Sequence, residues 1–496
     1  MRGIPIGSWR LLPAMALGLV SAGALASTDS QSLHLLNRLA FGPRPGDVQR
    51  VGTMGVDAYI SQQLHPDSIP LPDALQHELA AYDTLKLTSR ELFEKYGPPE
   101  RKPGENLAPE ELKAQRQREQ QVVEQAMDAH LLLAIESPRQ LQEVMVNFWF
   151  NHFNVFDRKG LDAIWVGAYE WDTIRPYALG RFRDLLGATA KSPAMLFYLD
   201  NWLNSEPGTP HAKNRFEGIN ENYARELMEL HTLGVDGGYT QQDVTTLAHI
   251  LTGWGLCPRR GREADPGAFC FDPKRHDIAD QTFLGKPVHG SDEREVEYVL
   301  DILAESPATA KHVSYKLAQY FVADNPPPAL VDRMVQRWQK SGGAIAEVLD
   351  ELFQSPEFWS AENRGNKFKT PYEYLVSAVR AGGASVSNFK PLIGALQQQG
   401  MPLYGCLTPD GYKNTQDAWL NPDAMTLRLS FAAALGHGNL PLDPEVMDPE
   451  KPEQRAAELY ATLPGLFSPQ QISTIDSQPK ELRPALILGS PQFMYR

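Results

Sequence analysis

The sequence predicts an all-α protein, a large helical array with long irregular loops and little or no sheet. Apolar residues recur at helical spacing through most of the 496 residues. No run alternates apolar and polar over the length of a strand. Helix-opening signals, Ser or Thr followed three residues on by Gln or Asp and Pro in the first turn, precede several of the periodic segments.

Taken in order, "HLLNRLAFGPRPGDVQRVGTMGVDAYISQQLHP" reads as two short helices around a Gly-Pro turn. A charged segment follows, with "KYGPPERKPGENLAP" as a flexible break. Pro109 then opens a long helix to about Glu136, polar in its first half and apolar in its second. Ser137, Pro138 and Gln140 read as a capping box that starts "PRQLQEVMVNFWFNHF". Further helices are expected at about 163–186, 219–233, 241–253 (capped by Thr240 and Asp243), 292–304, 307–322, 328–339, 343–354, 370–381, 389–398, 421–435 and 451–461. Long loops fall at 204–218, 255–291 and 400–420. Two segments, "LFQSPEFW" and "LILGSPQFMY", both end a helix with Ser-Pro-x-Phe, too short a match to establish a duplication.

Residues 1–26 carry two arginines and no acid, then an apolar run ending in Ala24-Leu25-Ala26. That pattern predicts a secretory signal peptide, leaving residues 27–496 as one large helical domain with a sub-boundary near 290. No later stretch reaches the roughly 18 apolar residues a membrane helix needs, so a periplasmic or secreted chain without a span is expected. The formal charge of -14 falls to -16 once Arg2 and Arg10 leave. A net acidic chain without a Lys/Arg cluster argues against nucleic acid as a partner. Cys257 and Cys270 bracket a polar, proline-bearing loop, and a local disulfide is the leading reading, with two free thiols as the alternative. Cys406 is then a small buried hydrophobe, since nothing beside it in sequence would activate the thiol.

The stretch "NENYARELMELHTLGVDGGYT" holds the densest chemistry. At about 100° per residue, Glu221, Asn222, Arg225, Glu226 and Glu229 share one arc of about 140°, opposite Tyr223, Leu227 and His231. One reading is a solvent face stitched by i,i+4 pairs. The other is a carboxylate site between packed helices. His231, on the apolar side, reads as a core histidine. A second polar stripe, Arg139, Glu143, Asn147, Asn151 and Asn154, crosses an otherwise apolar helix and therefore faces either an internal polar pocket or a narrow solvent strip. His276 and Asp277 stand in tandem on the loop "CFDPKRHDIADQ", as a ligand pair or as a surface turn. No nucleophile elbow, H-E-x-x-H, P-loop, G-x-G-x-x-G or C-x-x-C is present.

"LLNRLAFGPRPGDV", "FWFNHF", "PAMLFYLDN", "NENYARELMELHTLGVDGGYTQQDVTTLAHILTGW", "HDIADQTFLG", "KLAQYFVADNPPP" and "KFKTPYEYLVSAVRA" together resemble the successive blocks of the exported bacterial family catalogued as domain of unknown function 1800. The resemblance runs from about residue 31 onward. It implies an exported helical protein, often encoded beside a sulfatase-like partner family, and brings no established activity. Where that family commonly has His in "FWHNHF", this chain has Phe150. A metal site would then fall to His152, Glu221, Glu226, His276 and Asp277.

Two functions follow. The first is an extracytoplasmic enzyme whose pocket holds a divalent metal ion through Glu221, Glu226, His152 and His276, or works by acid-base chemistry. In it Glu226 or Glu229 is base or ligand, His276 with Asp277 is ligand or acid, and Arg225 is an anion clamp. The alternative is a non-catalytic binding or assembly protein working with the sulfatase-like partner or a surface polysaccharide.

Overall fold

The computed structural model describes residues 16–99, 108–212, 216, 218–257, 265, 267–443 and 452–496. Residues 1–15 of the expected leader and residues 100–107 of the expected break lie outside them, as do parts of the loops at 213–217 and 258–266. Among the described residues the chain is mostly α-helical, with two small two-stranded sheets. No helix there is long and apolar enough to cross a membrane.

The remaining residues of the expected leader belong to the helix Ala16–Leu39, which continues past residue 26. The next segment forms two helices, Asp47–Met54 and Val56–Leu64, where one was expected. Gly55, at φ 91°, breaks them apart in a backbone conformation that side-chain-bearing residues rarely adopt. Pro109–Glu136 is as expected. The following helix starts later, at Gln140. Ser137 Oγ accepts from the Arg139 N–H, while the Gln140 side chain donates to the Ser137 and Ala134 carbonyls, so the expected capping box does not form. By contrast Thr240 and Asp243 do cap the helix Gln241–Ile250 reciprocally.

The expected helix at 163–186 is divided. Asp162–Ala168 widens into a π-helical turn, Tyr169–Ile174, and ends in a tight turn at Arg175–Tyr177, where Pro176 lacks the N–H to continue. The helix Phe182–Lys191 then resumes. The loop at 255–291 contains both sheets: Trp254–Leu256 pairs antiparallel with Phe269–Phe271, and Gln281–Phe283 with Lys286–Val288. The Ser-Pro-x-Phe pair has a shared geometry. Ser355 Oγ donates to Leu352 O and accepts from Phe358 N; Ser490 Oγ donates to Ile487 O and accepts from Phe493 N. In each, the hydroxyl closes one helix and opens the next turn, and the phenylalanine is buried.

Apolar packing runs from Leu33 to Met494 as one cluster, and it encloses an unusual amount of charge. Arg175, from the π-helical region, donates to both oxygens of Glu143 at 2.9 Å and to Glu170 at 3.3 Å. Glu170 also bonds His130 Nδ1 at 2.7 Å and accepts from Tyr404 OH at 2.8 Å. Burial pushes the Glu170 carboxyl up, but His130 and Arg175 outweigh it and hold it at about 2. Burial also pushes Glu143 up, and there it prevails over Arg175. A few residues away in space, Arg496 meets Glu373 at 2.7 Å, and the helix Pro371–Ala381 sends Arg380 to the carbonyls of Gly42 and Ile135.

Because the folded Glu170 binds its proton more weakly than the unfolded one, its contribution is full above the ordinary carboxylate value and is lost as pH falls through about 2. Glu170→Gln should therefore lower the unfolding free energy by about 3 kcal/mol at neutral pH. Urea melts of parent and variant should converge as the pH is lowered below about 4.5.

Candidate functional site

The helix Gln140–His152 forms one wall of a cavity of about 640 Å³. Its polar stripe divides by depth. Glu143 goes to Arg175, while Asn147, Asn151 and, past the helix end, Asn154 line the cavity. Asn151 donates to Tyr412 O at 2.9 Å and accepts from Tyr412 N at 2.7 Å; Asn154 donates to the Cys406 and Thr408 carbonyls. These bonds fasten the loop at 401–417 as the opposite wall. Gly411, at φ 71°, passes so close that a Cβ there would sit 2.2 Å from Asn151 O. Phe150 lies on the cavity wall with its ring centroid 4.9 Å from that of Tyr404, so the position where the resemblance implies histidine is an aromatic packing contact.

Three histidines gather beside this wall. The His152 and His231 rings lie 6.2 Å apart, as do those of His152 and His312. Burial and the nearby Lys316 ammonium push all three down, His231 to about 3 and His312 to about 4, so they are neutral. His152 Nε2–H donates to the His231 carbonyl at 3.1 Å, and His152 Nδ1 is buried without a partner among the described residues.

A second constellation forms where the helix Gln241–Ile250 ends. His249, in its last turn, places Nδ1 2.8 Å from Glu206 Oε2 and 3.0 Å from Asp277 Oδ2. Among the described residues this is the group of three metal-ligating side chains that converge, all partly exposed. Thr252 organises it: Oγ1 donates to His249 O at 2.5 Å and accepts from the Asp277 N–H at 2.8 Å. Glu206 is set by its own N–H donating to Arg275 O at 2.8 Å. Asp277 is held further by Gln281 Nε2 at 3.1 Å and Ala279 N at 2.9 Å. The strand pair that carries this loop is closed by the Cys257–Cys270 disulfide.

The tandem His276-Asp277 therefore splits. Asp277 turns outward to His249, whereas His276 turns inward and is buried, bonding the Glu295 carboxylate through Nε2 and the Thr252 carbonyl through Nδ1 at 2.8 Å. Burial alone would lower the imidazole, but the Glu295 bond and the Thr252 carbonyl raise it above its ordinary value. Glu221 accepts from Arg225, Gln241 and Thr245 on the partly exposed face. Glu226 is half-buried, its carboxyl raised by burial and by Glu229, and Glu229 accepts from Tyr239 OH at 3.3 Å. The set Glu221, Glu226, His152 and His276 does not converge as a triad of ligand atoms. Cys406 is buried and free, its thiol pushed up by burial.

Sequence reasoning missed Glu206 and His249. His249 sits inside the long family-like block, and its signal was a histidine at the polar end of a capped helix. Glu206 is 43 residues distant and gave none.

Fold and constellation together define an all-α protein with an inter-helical cavity and a Glu-His-Asp cluster at a disulfide-closed loop. The chain belongs to the family described as "Protein of unknown function (DUF1800)", whose model matches residues 34–495. No curated protein and no solved structure matches it.

Burial predicts opposite costs at His276 and Glu221. His276→Ala leaves Glu295 buried without its partner and should lower the unfolding free energy by about 2–4 kcal/mol. Glu221→Gln, on the partly exposed face, should stay within about 0.5 kcal/mol of the parent. Urea denaturation of both variants measures the difference.

Proposed function

We propose that this protein is an extracytoplasmic metal-dependent enzyme that holds a divalent cation on Glu206, His249 and Asp277. The observation that carries the reading is the triad's spacing. Its two nitrogen-to-oxygen separations, 2.8 and 3.0 Å, match the about 3 Å between adjacent ligands of an octahedral ion with bonds of about 2.1 Å. Two carboxylates and one imidazole, with no thiolate, suit a hard to borderline ion such as Mn²⁺, Fe²⁺ or Zn²⁺.

The contacts that hold the Asp277 carboxylate support the same reading. Thr252, Gln281 and the Ala279 amide hold the Asp277 carboxylate and its backbone, the kind of outer contact that orients ligands before an ion arrives. Three protein ligands leave positions open, where such an ion acidifies water and polarises an ester, amide or glycosidic oxygen. An extracytoplasmic setting is supported by the disulfide and by the leader-like first 26 residues. Residues 27–496 would then act as one domain.

The assembly reading, with a sulfatase-like protein or a polysaccharide as partner, has one observation in its favour. The Glu221, Arg225, Gln241 and Thr245 ladder is a satisfied surface network that requires no chemistry.

Elemental analysis of protein purified without a metal-binding tag separates the two. The enzyme reading expects a stoichiometric transition metal that is lost in His249→Ala and Asp277→Asn, both of which remain folded. Absence of bound metal, together with no change in melting temperature on adding Mn²⁺ or Zn²⁺, would contradict it and favour assembly.

A further inference from the structure

The helix Pro307–Phe321 forms another wall of the cavity and presents Lys316 to it. This ammonium has no hydrogen bond and no ion pair among the described residues. It is partly buried on the cavity wall, and a charge withdrawn from bulk water without a partner is costly to keep. Elsewhere in this interior lysines are partnered: Lys367 meets Asp324, and Lys369 donates to Ser377 at 3.0 Å. Lys316 is the exception, and it faces open space.

What surrounds it defines what could join it. On its own helix stands neutral His312; from the helix Gln140–His152 comes neutral His152, and from the turn at 231 neutral His231. From the loop at 401–417 come Asp410 and Lys413, which pair with each other at 3.5 Å. Glu373, also on the cavity wall, is engaged by Arg496. Asp410 acts on Lys316 at a distance without forming an ion pair with it, and Asp417, also on the wall, bonds the Thr415 side chain, so no ion pair commits an anion to Lys316 among the described residues. The rest of the wall mixes asparagines and aliphatic side chains with aromatic ones, among them Phe148, Phe150, Tyr404 and Tyr412. A volume of about 640 Å³ lies within the range of small-molecule sites.

We propose that the cavity binds an organic carboxylate, its carboxylate group paired with Lys316 Nζ and its ring body laid against Phe148, Phe150, Tyr404 and Tyr412. Lys413 is already paired with Asp410, and Asp410 on the same wall would repel a second negative charge, which favours a monoanion over a phosphate dianion. Burial, and to a smaller degree Lys413, brings the Lys316 ammonium down to about 8, with Asp410 opposing. Its charged form predominates at neutral pH, so carboxylate binding is retained there and is lost as pH rises through that value. The inference does not rest on the triad and stands or falls without it.

Isothermal titration calorimetry with 4-hydroxybenzoate and indole-3-acetate, against 4-hydroxybenzamide and phenyl phosphate, tests it on the whole chain. The carboxylates should bind at least about tenfold more tightly than the amide, as expected when a charge-assisted bond is lost. Phenyl phosphate should bind no better than the carboxylates, and carboxylate affinity should fall between about pH 7 and pH 10. Lys316→Met should lose that affinity while melting at or above the parent temperature, and Lys316→Arg should keep part of it. Equal binding of acid and amide, tighter binding of the phosphate, no binding of either carboxylate, or unchanged affinity in Lys316→Met would each overturn the proposal. Should Lys316→Met fail to fold, the acid-amide ratio and its pH dependence in the parent decide alone.

Discussion

Charge buried among helices is the constraint on which this structure depends. Arg175 is shared by Glu143 and Glu170, which come from different elements, and Glu170 is shared in turn by His130 and Tyr404 from two more. Each carboxylate taken from water requires its partners within bonding distance, so the network fixes four chain segments relative to one another. Apolar packing alone tolerates sliding; a guanidinium between two carboxylates does not. The cavity sits against this network, and its shape is inherited from it, since Tyr404 belongs both to the network and to the wall.

Two groups at the cavity lie outside this network. Lys316 forms no ion pair and His152 Nδ1 has no hydrogen-bond partner among the described residues, and both residues line the same cavity. The Glu206, His249 and Asp277 cluster is different in kind. It lies where solvent reaches it, on a loop tied down by Thr252 and the disulfide, and its side chains face one another rather than a buried counter-charge. The proposed anion site and the proposed cation site involve different residues, so each can be tested without the other.

Much of the fold was legible from the sequence, because helices announce themselves locally. The caps at Thr240 and the proline starts at Pro109 and Pro307 need only neighbouring residues to be read. The errors have local causes too: Gly55 splits a helix, and Pro176 ends a π-helical turn where a continuous helix was expected. The polar stripe on Gln140–His152 was readable as either an internal pocket or a solvent strip; Asn147, Asn151 and Asn154 line the cavity, while Glu143 turns to Arg175. The triad was half legible. Asp277 was visible as a loop acid, but its pairing with His249 and Glu206 depends on chain segments 28 and 71 residues away folding over one another. Nothing in local periodicity encodes that approach. The tandem His276-Asp277 likewise hid the fact that adjacent residues on a loop point in opposite directions.

The central claim is that Glu206, His249 and Asp277 hold one cation between them. Crystals of the protein soaked in Mn²⁺ and measured at a wavelength where manganese scatters anomalously test it most directly. The account predicts one strong anomalous peak within about 2.0–2.4 Å of Glu206 Oε2, His249 Nδ1 and Asp277 Oδ2. A map with manganese only elsewhere on the molecule, or with none, would contradict it.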